Sequence, residues 1–193
     1  VFGAAIIDRI ARPDGRTLTP GTSTPGTVTE SHGGVARNVA EVCARLGSRP
    51  TLISVVGDDA AGAALLRHTA GVGVGVRGTV EVVEGATTAT YVAFLDGAGE
   101  LHAAVADTRV MQRLGPPLLR RHAAAVASAA VVASDGNLSA DGFAALGLMC
   151  AEAGARLIFE PTSVAKSVLP IAAGALSMIT LTTPNFDELA AMA

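Results

Sequence analysis

The chain has 193 residues, of which 14 are basic and 17 are acidic, and only 3% are aromatic. A formal net charge of −3 with so few rings excludes a typical nucleic-acid surface, which needs a basic stripe or a set of stacking aromatics. The hydrophobic half of the chain is mostly Ala and Val interrupted by Gly and charged residues, so we expect no membrane-spanning segment.

The length suits one compact domain over residues 1–193. The first residues show neither the basic stretch nor the small-residue cleavage site of a secretory signal. Cys43 and Cys150 have no C-x-x-C spacing, so we interpret them as reduced packing residues rather than as a disulfide or metal ligands. These features favour a cytoplasmic protein.

Short runs rich in Val and Ile alternate with longer Ala/Leu segments of 3.6-residue periodicity, which predicts an α/β fold with a mostly parallel sheet flanked by helices. The predicted strands are 2–7, 51–56, 129–133, 156–160 and 177–181. The predicted helices are 35–46, 60–70, 117–125, 140–153 and 163–173, with a last one opening near Asn185. In helix 35–46 we expect one stripe to face the core and the charged positions to lie off it. The stripe is Val35, Val39, Val42, Cys43 and Leu46, and the charged positions are Arg37, Glu41 and Arg45.

Two stretches interrupt this alternation. Residues 11–32 are rich in Pro, Gly, Thr and Ser, and residues 76–106 contain two or three short strands around a turn at 96–99. They predict a small antiparallel β flap, which we interpret as a lid over a ligand site. An edge extension of the sheet or a dimer contact is the alternative.

Polar side chains follow the ends of several predicted strands. They are Asp8, Asp135 with Asn137, Glu160, and Asn185 with Glu188. Because open α/β sheets bind ligands at the carboxyl ends of their strands, these residues predict a ligand site at one edge.

A Gly33-Gly34 pair precedes helix 35–46 and offers a backbone that can approach a ligand closely, with free N–H groups at a positive helix end. A plain flexible turn is the alternative for the two glycines. Asn38 lies one turn inside the helix at the border of the apolar stripe, where its amide needs a partner such as a bound hydroxyl.

The strings GGVARNVAEVCARLG at 33–47, VGDDAAG at 56–62 and TPNFDEL at 183–189 resemble the PfkB (ribokinase-like) family of carbohydrate and nucleoside kinases. The resemblance extends over essentially the whole chain. Within the family, GGVARN, the segment from Thr88 to Asp107, DGN at 135–137 and EPTSVAK at 160–166 look most like pseudouridine kinases.

This resemblance implies a ribokinase-like fold and ATP-dependent phosphorylation of the 5′-hydroxyl of pseudouridine. Ribokinase, adenosine kinase and fructokinase types are the alternatives within the family, and a non-catalytic binding or dimerisation fragment is the alternative outside it. The implied cofactors are ATP and Mg²⁺, with K⁺ as a further candidate ion. The implied partner is a small nucleoside or sugar. Separately, the flap strands predict pairing with a second copy of the chain.

The resemblance also assigns individual residues. Those implied to bind substrate are Asp8, Gly33, Gly34, Asn38, Thr88, Asp107, Asn137 and Lys166. The implied ribose site consists of Asp8, Gly33, Gly34 and Asn38. The Asp8 carboxylate can accept hydrogen bonds from two adjacent hydroxyls. Thr88 and Asp107 on the flap and Asn137 after the third strand close over or read the nucleoside. Lys166 is the chain's single lysine, and a solvent-facing helix position is its alternative.

Asn185 and Glu188 match the family's N-x-x-E motif near the metal and the phosphates, where oxygen ligands suit Mg²⁺. Asn185 is equally a predicted helix N-cap, with Glu188 as its capping-box partner. Members of the family also carry a G-A-G-D segment that supplies the general base, and no string here matches it. We therefore expect no catalytic residue among these 193 residues and no turnover by them alone.

Overall fold

The computed structural model describes residues 1–15 and 17–193. The strands are β1 (Ile6–Pro13), β2 (Gly26–Gly33), β3 (Ser54–Gly57), β4 (Val80–Val83), β5 (Thr90–Leu95), β6 (Leu101–Asp107), β7 (Val131–Asp135), β8 (Arg156–Glu160) and β9 (Ile179–Thr182). The α-helices are α1 (Val35–Arg45), α2 (Ala60–Gly71), α3 (Pro116–Arg121), α4 (Ala123–Ala127), α5 (Ala140–Ala153), α6 (Val164–Ser167), α7 (Leu169–Ala172) and α8 (Phe186–Met192), with 3₁₀ helices at Arg109–Arg113 and Leu176–Met178. Within the described ranges, none of these helices has the length and apolar character needed to cross a bilayer.

The body of the fold is a parallel sheet in two pieces that the first residues of the chain join together. β7, β8 and β9 pair in parallel in that order, and β3 pairs in parallel with β4. Phe2 forms parallel bridges to Ile53 on one side and to Ser134 on the other. Its N–H donates to the carbonyl of Ala133 at 2.8 Å. The predicted sheet, mostly parallel and flanked by helices, is confirmed.

Helix α5 covers one face of β7–β9 and forms the larger core with these strands. Phe143 and Phe159 meet edge to face there, with ring centroids 5.1 Å apart. Cys150 is buried in the same cluster as a packing residue. A second, smaller core joins the body to the start of the flap through Ile7 of β1 and Leu65 of α2.

The flap is a four-stranded sheet with the order β2-β1-β5-β6. β1 and β2 are antiparallel, β5 and β6 are antiparallel, and the central pair β1 and β5 is parallel. The side chain of Asp96 holds the second turn by accepting from the N–H groups of Ala98 and Glu100, each at 2.9 Å. The predicted flap is present, but β4 was wrongly included in it, because β4 pairs with β3 of the body instead.

Several predicted boundaries require correction. The strand predicted at 2–7 is two separate pieces. Phe2 forms isolated bridges in the body, and β1 starts only at Ile6 and pairs with β2 as far as Pro13. The helix predicted over 117–125 is divided at His122 into α3 and α4. The helix predicted over 163–173 is divided at Val168 into α6 and α7, and Pro170 in the first turn of α7 lacks the N–H that a continuous helix would need.

The apolar stripe of α1 does not face the core as expected. Val42 is 56% exposed and Leu46 is 80% exposed, whereas the buried residues of the helix are Ala36, Arg37 and Ala40. Small alanine side chains let α1 lie close to the strands beneath it. The rest of the stripe, including Val39 and Cys43, borders an open apolar groove of about 620 Å³ that extends over β7 and β8.

Candidate ligand-binding site

Asp8 stands at the point where β1 leaves the body and enters the flap. A Cβ on Gly33 would lie 1.9 Å from Asp8 Oδ2, so the carboxylate occupies space that only glycine leaves open. Burial raises the pKa of the Asp8 carboxyl, and the positive charge of Arg37 opposes that rise. The structure thus brings Asp8 and Gly33 together as predicted and presents a half-buried acceptor.

Gly34 turns the chain from β2 into α1 with a φ of 93°. A Cβ at this position would lie 2.3 Å from the carbonyl oxygen of Ala4 as well as straining the backbone. Glycine therefore allows the start of α1 to lie against the N-terminal strand, directly beside Asp8 and Gly33.

A buried carboxylate from another part of the chain ties this helix start in place. Oδ2 of Asp135 accepts hydrogen bonds from the N–H groups of Ala4 at 2.9 Å and Ala36 at 3.0 Å. Its Oδ1 accepts from the N–H of Asn137 at 3.0 Å. Burial raises the pKa of Asp135, and these main-chain donors, together with the side-chain amide of Asn137, oppose that rise. Asp135 was placed at this edge from the sequence, but its role as the common anchor was not predicted.

Asn38 is exposed on the first turn of α1, and its Oδ1 accepts a hydrogen bond from Nη2 of Arg37. Arg37 is only 4% exposed, and its Nε donates to the carbonyl of Gly33 at 3.0 Å. Sequence reasoning placed Arg37 off the buried face, so it missed this contact. The arginines and the glutamate spaced four residues apart at 37, 41 and 45 were the available signal.

Asn137 and Lys166 come together at the carboxyl ends of β7 and β8. The ammonium Nζ of Lys166 donates to Asn137 Oδ1 at 2.5 Å. Both residues line an open cavity of about 290 Å³, which Thr108 and Gln112 also line. Lys166 is half-buried beside Asn137, and the substrate contacts predicted for both residues remain predictions.

Thr88 belongs to the framework of the fold, and its predicted contact with the substrate remains a prediction. It is 2% exposed, its Oγ1 donates to Asp59 Oδ1 at 2.6 Å, and its N–H donates to Asp59 Oδ2 at 2.8 Å. The same hydroxyl accepts from the N–H of Gly57 at 3.1 Å. Asp59 is the N-cap of α2, so Thr88 fastens that helix to the start of β5. Its hydroxyl is already used for these contacts.

Asp107 ends β6 on the far side of the flap from Asp8. It pairs with Thr90, which pairs with Ile7, so Asp107 shares the sheet face of Ile7 and not that of Asp8. Its carboxylate binds Arg109 through Nε at 2.9 Å and Nη2 at 2.6 Å, and this partner lowers the pKa of Asp107 to about 2. The structure does not bring Asp107 to the sugar site, and its predicted role remains a prediction.

Asn185 and Glu188 form the predicted capping box at the start of α8. Asn185 Oδ1 accepts from the N–H of Glu188, and Glu188 Oε2 accepts from the N–H of Asn185, each at 2.9 Å. Burial raises the pKa of the nearby Glu160 carboxyl, and the negative charge of Glu188 raises it further. The two carboxylates are close enough to repel, and their oxygens are of the kind that a hard divalent cation prefers, although the described residues contain no cluster of three or more such ligands. Metal binding by Asn185 and Glu188 remains a prediction.

Comparisons with known proteins identify the family and the fold. The whole chain, residues 1–193, matches the model of the family described as pfkB family carbohydrate kinase. It is 34% identical over 194 residues to a pseudouridine kinase of Arabidopsis thaliana, covering 100% of this chain and 50% of that protein. The chain therefore spans about half the length of this curated relative.

Two solved structures show the same fold. A carbohydrate kinase from Agrobacterium tumefaciens superposes with a TM-score of 0.87 at 30% identity, over 99% of this chain and 61% of that chain. The Arabidopsis thaliana ribokinase complexed with ribose and ATP superposes with a TM-score of 0.81 at 19% identity, over 99% of this chain and 61% of that chain. The predicted ribokinase-like fold is confirmed, and the chain belongs to the pfkB family of carbohydrate kinases.

Proposed function

We propose that these residues form the nucleoside-binding part of a kinase that phosphorylates pseudouridine on its 5′-hydroxyl with ATP. The observation that carries the proposal is the anchoring of two groups of polar residues by one buried carboxylate. Asp135 binds the main chain at Ala36, beside the sugar site, and at Asn137, beside Lys166. The similarity to a pseudouridine kinase over the full chain supports the choice of substrate.

At the sugar end, the proposed contacts follow from the chemistry of each group. The Asp8 carboxylate accepts hydrogen bonds from ribose hydroxyls, and the Asn38 amide nitrogen donates to a hydroxyl oxygen. Gly33 and Gly34 leave the space that the Asp8 carboxylate and the Ala4 carbonyl occupy, so the acceptor and the start of α1 lie close together. These residues bind and orient the sugar.

At the other end, the free donors come from Lys166. Its ammonium donates to Asn137 Oδ1 and keeps two further N–H donors for a ligand, while the Asn137 amide nitrogen donates to Asp135. Carbonyl oxygens of a pyrimidine dione match such donors, whereas a bare sugar leaves them without partners. This polarity favours a nucleoside over ribose or fructose.

ATP and Mg²⁺ belong to the proposal through the family, and the related ribokinase structure contains ATP. Asn185 and Glu188 would hold the metal, with the Glu160 carboxylate close by. A bound Mg²⁺ would neutralise phosphate charge during phosphoryl transfer. Because no G-A-G-D string is present, we propose that the 193 residues bind nucleoside without turning it over.

A second candidate role for the flap is a contact between two copies of the chain. Val28, Phe94 and Val105 are exposed on one face of the flap sheet. Light scattering across a tenfold concentration range tests this role. We expect a dimer that Val28→Glu converts to monomer, whereas a monomer at every concentration would contradict a flap contact.

The test of nucleoside binding uses the 193-residue chain and four ligands: pseudouridine, uridine, ribose and fructose. Ligand-dependent thermal shifts rise with affinity for the native state, so pseudouridine should give the largest shift. Lys166→Met should weaken pseudouridine binding about tenfold through loss of a charge-assisted donor, and should leave ribose binding unchanged. Asp8→Asn should weaken both ligands. Equal shifts with ribose and pseudouridine would contradict the nucleoside assignment.

A further inference from the structure

We propose that Arg37 is a positioning residue that sets the hydrogen-bond polarity of the sugar site, by holding Asn38 so that its amide nitrogen faces the ligand. This inference rests on the proposed function, because it concerns how the same site reads two adjacent hydroxyls. It adds a residue that contacts no ligand itself.

The geometry around the guanidinium requires this orientation. Arg37 donates through Nε to the Gly33 carbonyl at 3.0 Å, through Nη1 to Glu41 Oε2 at 2.5 Å, and through Nη2 to the Asn38 side chain. A guanidinium has five N–H donors and no acceptor. The oxygen of the Asn38 amide must therefore face Arg37, and its nitrogen must face away.

The position is unusual for a charged side chain, because the Arg37 side chain is 5% exposed. A buried guanidinium is tolerated only when its charge and its donors are matched. Glu41 supplies the matching charge and is itself held by Arg45, at 2.8 Å to Nε and 2.6 Å to Nη2. The contacts with Gly33 and Glu41 hold the Arg37 guanidinium in place, so it cannot follow a rotation of the Asn38 side chain.

The Arg37 guanidinium also acts on Asp8, the other polar side chain of the proposed sugar site. Its positive charge favours the ionised form of Asp8 against the effect of burial. Arg37 therefore favours an acceptor at Asp8 and orients Asn38 as a donor. Two adjacent hydroxyls satisfy this pair when one donates to Asp8 and the other accepts from Asn38, so a ligand lacking either hydroxyl leaves one group unpaired.

The first experiment needs no ligand. The carboxyl carbon of Asp8 is titrated by NMR in the wild-type chain, Arg37→Met and Arg37→Lys. We expect a higher Asp8 pKa in Arg37→Met and a value close to wild type in Arg37→Lys, which keeps the charge. Arg45→Met is the matched control, because Arg45 binds Glu41 but not Gly33 or Asn38, and it should leave Asp8 unchanged. An Asp8 pKa that is the same in Arg37→Met and wild type would overturn the inference.

The second experiment measures discrimination among pseudouridine and its 2′-deoxy and 3′-deoxy analogues by calorimetry. The wild-type chain should prefer pseudouridine to the weaker-binding deoxy analogue by about tenfold or more. Both Arg37→Lys and Arg37→Met should reduce this preference to about threefold or less, since neither has the fork that orients Asn38. Arg45→Met should keep the wild-type ratio.

The outcomes separate three cases. If Arg37 only supports the fold, its variants weaken all three ligands by the same factor and the ratio is unchanged, which overturns the inference. If the wild-type chain binds none of these ligands, the proposed function fails, and the Asp8 titration decides the inference by itself. If Arg37→Met does not fold, Arg37→Met combined with Glu41→Gln keeps the charge balance and replaces it in both experiments.

Discussion

The carboxylate of Asp135 accepts a hydrogen bond from the main-chain N–H of Ala36 at 3.0 Å, although 99 positions separate the two residues. Ala36 lies in the first turn of α1, and the N-cap of that helix is a glycine without a capping side chain. Asp135 therefore supplies from β7 the acceptor that a local side chain usually provides. The start of α1, where the proposed sugar site lies, is fixed by this long-range contact.

Asp135→Asn tests the anchor. Three main-chain N–H groups point at the two oxygens of Asp135, and an amide would turn its own N–H₂ group toward at least one of them. Leaving a buried donor unpaired should lower the free energy of unfolding by about 2–4 kcal/mol. Urea unfolding monitored by circular dichroism measures the loss. Asp141→Asn, at an exposed first-turn position of α5, is the control and should cost less than about 0.5 kcal/mol. Equal losses in the two variants would contradict the role of Asp135.

Gly33→Ala should weaken sugar binding strongly at little cost in stability. The added methyl would lie 1.9 Å from Asp8 Oδ2, and the half-buried Asp8 side chain can rotate away toward solvent. We expect affinity for pseudouridine to fall at least tenfold by calorimetry, with a stability loss of about 1 kcal/mol or less. Gly71→Ala is the matched control, because nothing lies within 4 Å of its added Cβ. Unchanged affinity in Gly33→Ala would remove Asp8 from the site.

Parts of the fold could be predicted from local pattern to the residue. The predicted helix 140–153 and strand 156–160 coincide with α5 and β8. Both are marked by local signals, since Ser139 caps α5 by accepting from Gly142 and Gly154 ends it with a φ of 66°. Local chemistry was sufficient for these two elements. Asp8 and Gly33 also meet, as the resemblance to the family implied.

The remaining features depend on tertiary contacts that no local pattern encodes. The Val stripe of α1 predicted a buried face, but α1 packs through its alanines and buries Arg37 instead. An arginine can be buried there because Gly33, Asn38 and Glu41 accept its hydrogen bonds. The framework role of Thr88 depends in the same way on a distant partner, Asp59, 29 positions away.

Thr88→Val tests this framework role by removing a hydroxyl at nearly constant volume. The variant leaves Asp59 Oδ1 with one donor fewer and leaves the N–H of Gly57 without its acceptor. We expect a loss of about 2 kcal/mol in the free energy of unfolding, with nucleoside affinity within twofold of wild type. Thr88→Ser retains the hydroxyl and should recover most of the stability. A large fall in affinity without a fall in stability would return Thr88 to the ligand surface.

Glu41 should make the chain sensitive to acid. Hydrogen bonds from Arg37 and Arg45 lower the pKa of Glu41 to about 2 from its ordinary value of 4.5. Because the pKa of this carboxyl is lower in the folded than in the unfolded state, its contribution to stability is present above pH 4.5. That contribution is lost progressively as the pH falls from 4.5 to about 2.

Comparison of the wild-type chain with Glu41→Gln isolates this effect from the other carboxylates. At pH 5 the wild type should be more stable by about 2 kcal/mol, since the variant leaves the buried Arg37 without its counter-charge. The difference should shrink steadily in urea unfolding series between pH 5 and pH 2. Glu30→Gln is the control, because Glu30 pairs with Arg9 at an exposed site and such pairs contribute little. A difference between wild type and Glu41→Gln that stays constant over this range would mean that Glu41 is not held by the two arginines in solution.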